Sequence, residues 1–160
     1  IEHVAHSNKI DRFELSEDKE WVDAEELIDE FTSDYQLDGR FSLMVEEGAK
    51  FHTYRNMLSV VIENLVNNAY KYDDRRVPIS IKVHTTENAT VFEIENSIDS
   101  TIRPDENKLF ERYYRHDNVQ SLPGMGIGLS LVETAAEKIG AKVSCEVENQ
   151  RVAFTVEVPR

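Results

Sequence analysis

The chain has 160 residues, 40% of them hydrophobic, which suits one domain with a buried core. Its net charge of −13 speaks against general binding to nucleic acid or to an anionic membrane surface, and a polyanionic ligand would need local cations or a metal to overcome that field. The one cysteine, Cys145, excludes an internal disulfide framework, fits a reducing compartment and reads as a packed thiol in a strand.

No stretch approaches the roughly 18 apolar residues of a membrane-crossing helix, and no signal peptide opens the chain. The opening Ile1 in place of Met leads us to expect a piece of a longer protein, with any membrane anchor outside it. Residues 1–20 are polar and aperiodic and read as a leader. The domain proper is expected over 21–160.

In chain order, Asp23 is a suitable N-cap for a helix from Ala24 to Tyr35, in which Leu27, Ile28 and Phe31 recur at helical spacing. Asp38-Gly39 marks a turn, and Phe41, Leu43 and Val45 alternate as a strand. Thr53 can cap the main helix, which runs to about Tyr72 with Tyr54, Leu58, Val61 and Leu65 as its core stripe. Ile79, Ile81 and Val83 predict a strand, Glu87-Asn88 a hairpin turn and Val91 to Glu95 the return strand. From Asn96 to Pro123 no clean period appears beyond a short turn at Leu109 to Tyr114, a length of irregular chain that usually means a lid or binding loop. A helix follows from Gly126 to Ile139 with Gly140 at its C′ position, and then a closing hairpin, Lys142 to Val147 and Val152 to Val158. This order predicts an α+β fold: a two-layer α/β sandwich with a mixed, mostly antiparallel sheet and helices on one face. It does not fit a doubly wound nucleotide fold, because strands and helices do not alternate regularly.

Two stretches carry chemistry. On the main helix Asn64, Asn68 and Lys71 fall within about 60° of one another and form a polar strip. Asn disfavours helix interiors. The strip either faces water or serves a ligand, since an amide oxygen can ligate Mg²⁺ and a lysine can meet phosphate. Farther on, Gly124-Met125-Gly126-Ile127-Gly128-Leu129 lets backbone N–H groups approach phosphate oxygens at the start of a helix, or serves as a hinge. Between the two lies Lys108 to His116, where Arg112 and Arg115 supply cations among apolar anchors. It suits a lid or an ordinary amphipathic surface helix.

In that order these segments resemble the sensor histidine kinases. Asn64 to Tyr72 is similar to their N box, Phe110-Glu111-Arg112-Tyr113-Tyr114-Arg115 to their F box, and Gly124 to Leu129 to their second glycine box. The resemblance covers roughly residues 21–158. It implies the Bergerat fold, shared with gyrase, Hsp90 and MutL-type ATPases, and a catalytic domain that binds ATP and Mg²⁺. By that resemblance Asn68 would be the metal ligand and Asn64 would sit beside the phosphates. Lys71 and Arg115 would contact phosphate oxygens, so Asn64, Lys71 and Arg115 are the expected catalytic set. Tyr72 would pack near adenine or ribose. Phe110, Arg112 and Tyr114 would belong to the lid, and Gly124, Gly126, Ile127, Gly128 and Leu129 to the phosphate-facing loop. The leader would join upstream dimerisation helices.

Two departures stand out. The family's first glycine box, Asp-x-Gly-x-Gly, reads Asn96-Ser97-Ile98-Asp99-Ser100 here, so Asn96 stands in the adenine-reading place unless Asp99 substitutes. An Asn96→Asp change is then expected to restore charge assistance worth about 1 kcal/mol. Second, neither His3 nor His6 carries the family's phosphoacceptor pattern, and His116 is a lid residue. The resemblance therefore implies transfer of the ATP γ-phosphoryl to a histidine on an adjoining dimerisation domain of the same kinase, with a response regulator downstream. This domain would be cytoplasmic, in a membrane-anchored sensor, without direct membrane contact. A degenerate domain that docks or binds nucleotide weakly is the rival reading, and another ATPase of the superfold a third.

Overall fold

The computed structural model describes residues 18–98, 125–148 and 150–160. Strand β1 (Glu20–Asp23) leads into helix α1 (Ala24–Thr32), where the Glu26 N–H donates to Asp23 Oδ2 at 3.0 Å, the capping bond expected of Asp23. The helix tightens into a 3₁₀ turn at Ser33–Asp38. Strands β2 (Phe41–Val45) and β3 (Lys50–Thr53) follow, then the long helix α2 (Arg55–Tyr72). The hairpin β4 (Ile79–Thr85) and β5 (Ala89–Ser97) comes next, then α3 (Met125–Lys138), β6 (Lys142–Glu148) and β7 (Arg151–Pro159).

Five strands form one sheet in the order β2-β4-β5-β7-β6, parallel only between β2 and β4. Strands β1 and β3 pair separately, antiparallel. Because side chains alternate between faces, register decides what each face carries. One face holds the rows Ile81–Ile94–Phe154–Cys145 and Val83–Phe92–Val156–Val143. The other holds Lys82–Glu93–Thr155–Ser144, a polar row suited to water. The helices cover the apolar face: α1 lies beside β2, α2 against β5, and α3 beside β6, with α2 flanked by both other helices. From α2 the side chains of Leu58, Val61, Ile62, Leu65 and Ala69 enter the core, with Val132, Ala135 and Ala136 from α3.

Expectation and structure differ in five places, the first being that α1 ends at Thr32, three residues before the expected Tyr35, and continues as the 3₁₀ turn. Strands β1 and β3 were not legible, since four residues each give too little alternation. Thr53 belongs to β3 rather than capping α2; its hydroxyl is buried without a partner among the described residues, and Tyr54 is the N-cap with no side-chain capping bond. Strand β5 runs two residues beyond Glu95, so Asn96 and Ser97 lie in the ladder opposite Val152 and Arg151. Helix α3 starts at Met125, so the backbone of Gly126 and Gly128 is helical. Gly140 closes that helix with φ of +71°, the left-handed conformation that glycine adopts freely.

Candidate functional site

Helix α2 has two flanks with different neighbours. On one, the Tyr35 ring stacks on Tyr70 at 4.2 Å between centroids and meets Phe41 at 5.6 Å. The Tyr35 hydroxyl donates to Asn67 Oδ1 at 3.2 Å. Burial pushes the Tyr35 phenol above its ordinary pKa, aided by Tyr70, Asp34 and Glu63. This flank faces β2. At about 100° per residue, Asn64, Asn68 and Lys71 fall on the opposite side of the buried stripe, the side of α3. There the Asn64 Nδ2 donates to the Val60 carbonyl at 2.7 Å and is satisfied within the helix. Asn68 differs: its Nδ2 is buried and has no hydrogen-bond partner among the described residues. An unmet buried polar atom costs about 1–3 kcal/mol and, in a native chain, calls for a reason. Lys71 is exposed and Tyr72 half-buried at the end of the helix.

Beneath α2 lies the end of β5. Asn96 shares the apolar face with Phe92 and Ile94 by register, and it is only 6% exposed. Its Nδ2 donates to the Ser97 carbonyl at 3.1 Å. The Asp74 N–H donates to the same carbonyl at 3.1 Å, which ties the turn after α2 to the strand end. The Ser97 hydroxyl donates to the Asp74 carboxylate and lies 3.3 Å from Asp73 Oδ1. Asp73 in turn pairs with Arg40, and Asp74 with Arg76. Arg76 also donates to the Ile98 carbonyl at 3.3 Å, and the Ile98 side chain fills the core where the family pattern has glycine. Burial works to raise the Asp74 pKa, but hydrogen bonds from Ser97 and Arg76, together with the Arg76 charge, outweigh it and hold the carboxyl below its usual value.

The fold thus gathers Asn64, Asn68, Lys71 and Tyr72 on α2, Asn96 beneath them, and the backbone of Gly126, Ile127, Gly128 and Leu129 at the start of the neighbouring α3. With the helix beginning at Met125, the N–H groups of Met125, Gly126 and Ile127 lack intrahelical acceptors and are available as donors, while those of Gly128 and Leu129 enter the helical ladder. Asp99, Phe110, Arg112, Tyr114, Arg115 and Gly124 lie outside the described residues. The network of Arg40, Asp73, Asp74 and Ser97 was missed; the signal for it is the Asp73-Asp74-Arg75-Arg76 run, which reads in sequence only as a helix breaker. Among the described residues no cluster of three or more His, Cys, Asp or Glu could hold a metal by itself. A cleft of about 330 Å³ opens beside Ser42, Ser80, Lys82, Glu95 and Arg151 and reaches Asn96 and Ser97, so it meets the end of β5 that borders the site.

Comparison with known proteins agrees with the fold. Residues 53–160 match the model of the histidine kinase-, DNA gyrase B- and HSP90-like ATPases. The chain is 27% identical over 144 residues to the sensor histidine kinase VxrA of Vibrio cholerae, covering 88% of this chain and 26% of that protein. It is 27% identical over 154 residues to the sensor histidine kinase HprS of Escherichia coli, covering 95% of this chain and 32% of that one. It therefore spans about a quarter to a third of the length of these relatives. The nucleotide-free catalytic domain of the histidine kinase ThkA superposes with a TM-score of 0.73 at 21% identity, over 89% of this chain and 96% of that one. The Acinetobacter baumannii histidine kinase AdeS gives 0.72 at 14% identity, over 99% and 75%. The chain belongs to the histidine kinase-, DNA gyrase B- and HSP90-like ATPase family, with the fold of a histidine kinase catalytic domain.

Proposed function

We propose that this chain is the ATP-binding catalytic domain of a sensor histidine kinase, which presents the γ-phosphoryl of ATP to a histidine on an adjoining dimerisation domain. The observation that carries the reading is Asn68, whose side-chain Nδ2 is buried with no partner among the described residues, on the α2 flank that faces α3. A stripe that merely faced water would not bury this group.

In this reading Asn96 accepts from the adenine amino group at the end of β5. Tyr72 packs beside the base or ribose, Asn64 and Lys71 meet phosphate oxygens, and the N–H groups of Gly126 and Ile127 at the start of α3 cradle them, with Gly128 and Leu129 continuing that helix. By the family resemblance Arg115 would contact phosphate oxygens, Phe110, Arg112, Tyr114 and Gly124 would belong to the nucleotide site, and Asp99 would read adenine should Asn96 not do so. Mg²⁺ would supply charge neutralisation across the phosphate oxygens. Its fit to this chain rests on the donor set: Mg²⁺ is commonly held by one or two protein oxygens, with substrate phosphates and water completing the shell, so the amide oxygen of Asn68 suffices as an anchor without a carboxylate cluster. The chain's own work is to position and to offset charge, since the nucleophilic imidazole comes from the partner domain. The phosphorylated histidine would then hand its phosphoryl to a response regulator, and the full protein would be a membrane-anchored sensor with this domain in the cytoplasm.

Calorimetric titration of the chain with ATP in the presence and absence of Mg²⁺ tests this. Binding that tightens with Mg²⁺, and that loses this dependence in Asn68→Ala, is the expected result. No heat at millimolar nucleotide would overturn the reading and leave a docking module, the rival that the substituted first glycine box favours.

A further inference from the structure

An amide side chain has a donor end and an acceptor end, and which end faces a ligand decides what it reads. At Asn96 the donor end is engaged by Ser97, through the 3.1 Å bond from Nδ2 to the Ser97 carbonyl. That carbonyl is fixed by a second donor, the Asp74 N–H, also at 3.1 Å. The Ser97 hydroxyl is anchored on the opposite side by the carboxylates of Asp73 and Asp74. Each carboxylate is itself held by an arginine, Asp73 by Arg40 and Asp74 by Arg76. Arg76 reaches on to the carbonyls of Ile98 at 3.3 Å and Gln150 at 3.4 Å, so the strand end is tied to its neighbours as well. With Asn96 only 6% exposed, turning the amide over would strand an N–H and set the Asn96 carbonyl oxygen against that of Ser97.

The atom left for a ligand is Oδ1, an acceptor only. A 6-aminopurine offers an exocyclic N–H₂ to such an atom. A 6-oxopurine offers a carbonyl, and oxygen would face oxygen. We propose that Ser97, held by the Arg40–Asp73 and Arg76–Asp74 pairs, is a positioning residue that keeps the Asn96 amide acceptor-outward and thereby sets the preference of the site for adenine over guanine nucleotides. The proposal rests on the nucleotide-binding reading above. It also changes the expectation for Asn96→Asp. A carboxylate there would put an oxygen where Nδ2 now donates to the Ser97 carbonyl, so the added charge meets repulsion before it meets the base.

The test is titration of the whole chain with Mg-ATP and Mg-GTP. Wild type is expected to bind ATP at least about tenfold more tightly than GTP, the order of discrimination that a mismatched buried hydrogen bond gives. Ser97→Ala should shrink that ratio by about threefold or more, Ser97→Thr should keep it, and Asn96→Asp should weaken ATP binding. In the free chain, the Asn96 side-chain N–H₂ should exchange slowly by NMR, and faster in Ser97→Ala. An unchanged ATP-to-GTP ratio in Ser97→Ala, even with a lowered melting temperature, would overturn the proposal, because a merely structural serine moves stability alone. Tighter ATP binding by Asn96→Asp would overturn it too. If wild type bound neither nucleotide, the nucleotide-binding reading would fall first. Wild-type binding with a preference independent of Ser97 would sink this proposal only.

Discussion

The Arg40 guanidinium pairs with the Asp73 carboxylate across 33 positions of sequence, joining the residue that precedes β2 to the C-cap of α2. The Asp73 side chain is 1% exposed and that of Arg40 14%, so water can replace neither partner readily. Arg40 also donates to the Val77 carbonyl at 3.2 Å, closing the turn between α2 and β4. Removing one member of a buried pair leaves the other charge uncompensated and typically costs about 3–5 kcal/mol. Arg40→Ala is expected near the lower end of that range, because Asp73 keeps the Ser97 hydroxyl. Urea unfolding of Arg40→Ala against wild type checks this, and a loss below about 1 kcal/mol would mean that solvent reaches the pair.

Asn68 is expected to behave in the opposite way. Its buried Nδ2 has no partner among the described residues, so truncation removes an unmet donor rather than a bond. Ala is also the better residue inside a helix, by up to about 0.7 kcal/mol. Asn68→Ala should therefore match or exceed wild type in stability, by up to about 1 kcal/mol, while it loses Mg²⁺-dependent ATP binding. Thermal unfolding run beside calorimetry separates the two effects. A clear loss of stability would show that Asn68 is a structural residue.

How far the sequence could be read depended on the length of each signal. Helix α2 and the two hairpins were legible because their periods persist over seven or more residues, as in the stripe Leu58, Val61 and Leu65, all buried. Strands β1 and β3, four residues each, carry no such period, and their pairing is non-local. The polar strip on α2 was legible as geometry. That only Asn68 within it has an unmet amide was not, because the distinction depends on how neighbouring helices cover the strip. The network around Ser97 was hidden for a related reason: Arg40, Asp73 and Ser97 are brought together by the sheet, and no spacing in the chain announces it.

Asp74 makes an acid-dependent contribution whose sign follows from its surroundings. Hydrogen bonds from Ser97 and Arg76 hold its folded pKa below the unfolded value of about 3.8, despite the opposing effect of burial. A depressed carboxylate stabilises the fold at pH above that unfolded value, and the contribution is lost as pH falls through the folded one. Wild type is thus expected to lose stability below about pH 4, and Asp74→Asn to lose less over the same interval. Urea midpoints measured from pH 6 down to pH 3 decide the matter; equal slopes for both chains would count against the network.

Glu133 carries the reverse sign. It stands one helical turn before Glu137 on α3, and both border a shallow cavity of about 200 Å³ with Ala136, Ala141 and Val143. Burial first, and then the Glu137 charge, raise the Glu133 pKa above its ordinary 4.5. A raised carboxylate favours the fold while protonated, at pH below the unfolded value, and that advantage disappears as pH climbs through the folded one. At neutral pH the pair is therefore a mild strain on α3. Like charges at i and i+4 destabilise a helix by about 0.2–0.5 kcal/mol, and Glu followed by Lys at that spacing stabilises it by a similar amount. Glu137→Lys replaces the first situation with the second, in the more favourable orientation and nearer the negative end of the helix. The expected gain is about 0.5–1 kcal/mol at pH 7, or a rise of roughly 1–4 °C in melting temperature. The gain should shrink at acid pH, as protonation removes the Glu133 charge, and it should shrink in high salt. A gain of the same size at every pH would mean that the introduced lysine acts through packing over the cavity rather than by relieving Glu133.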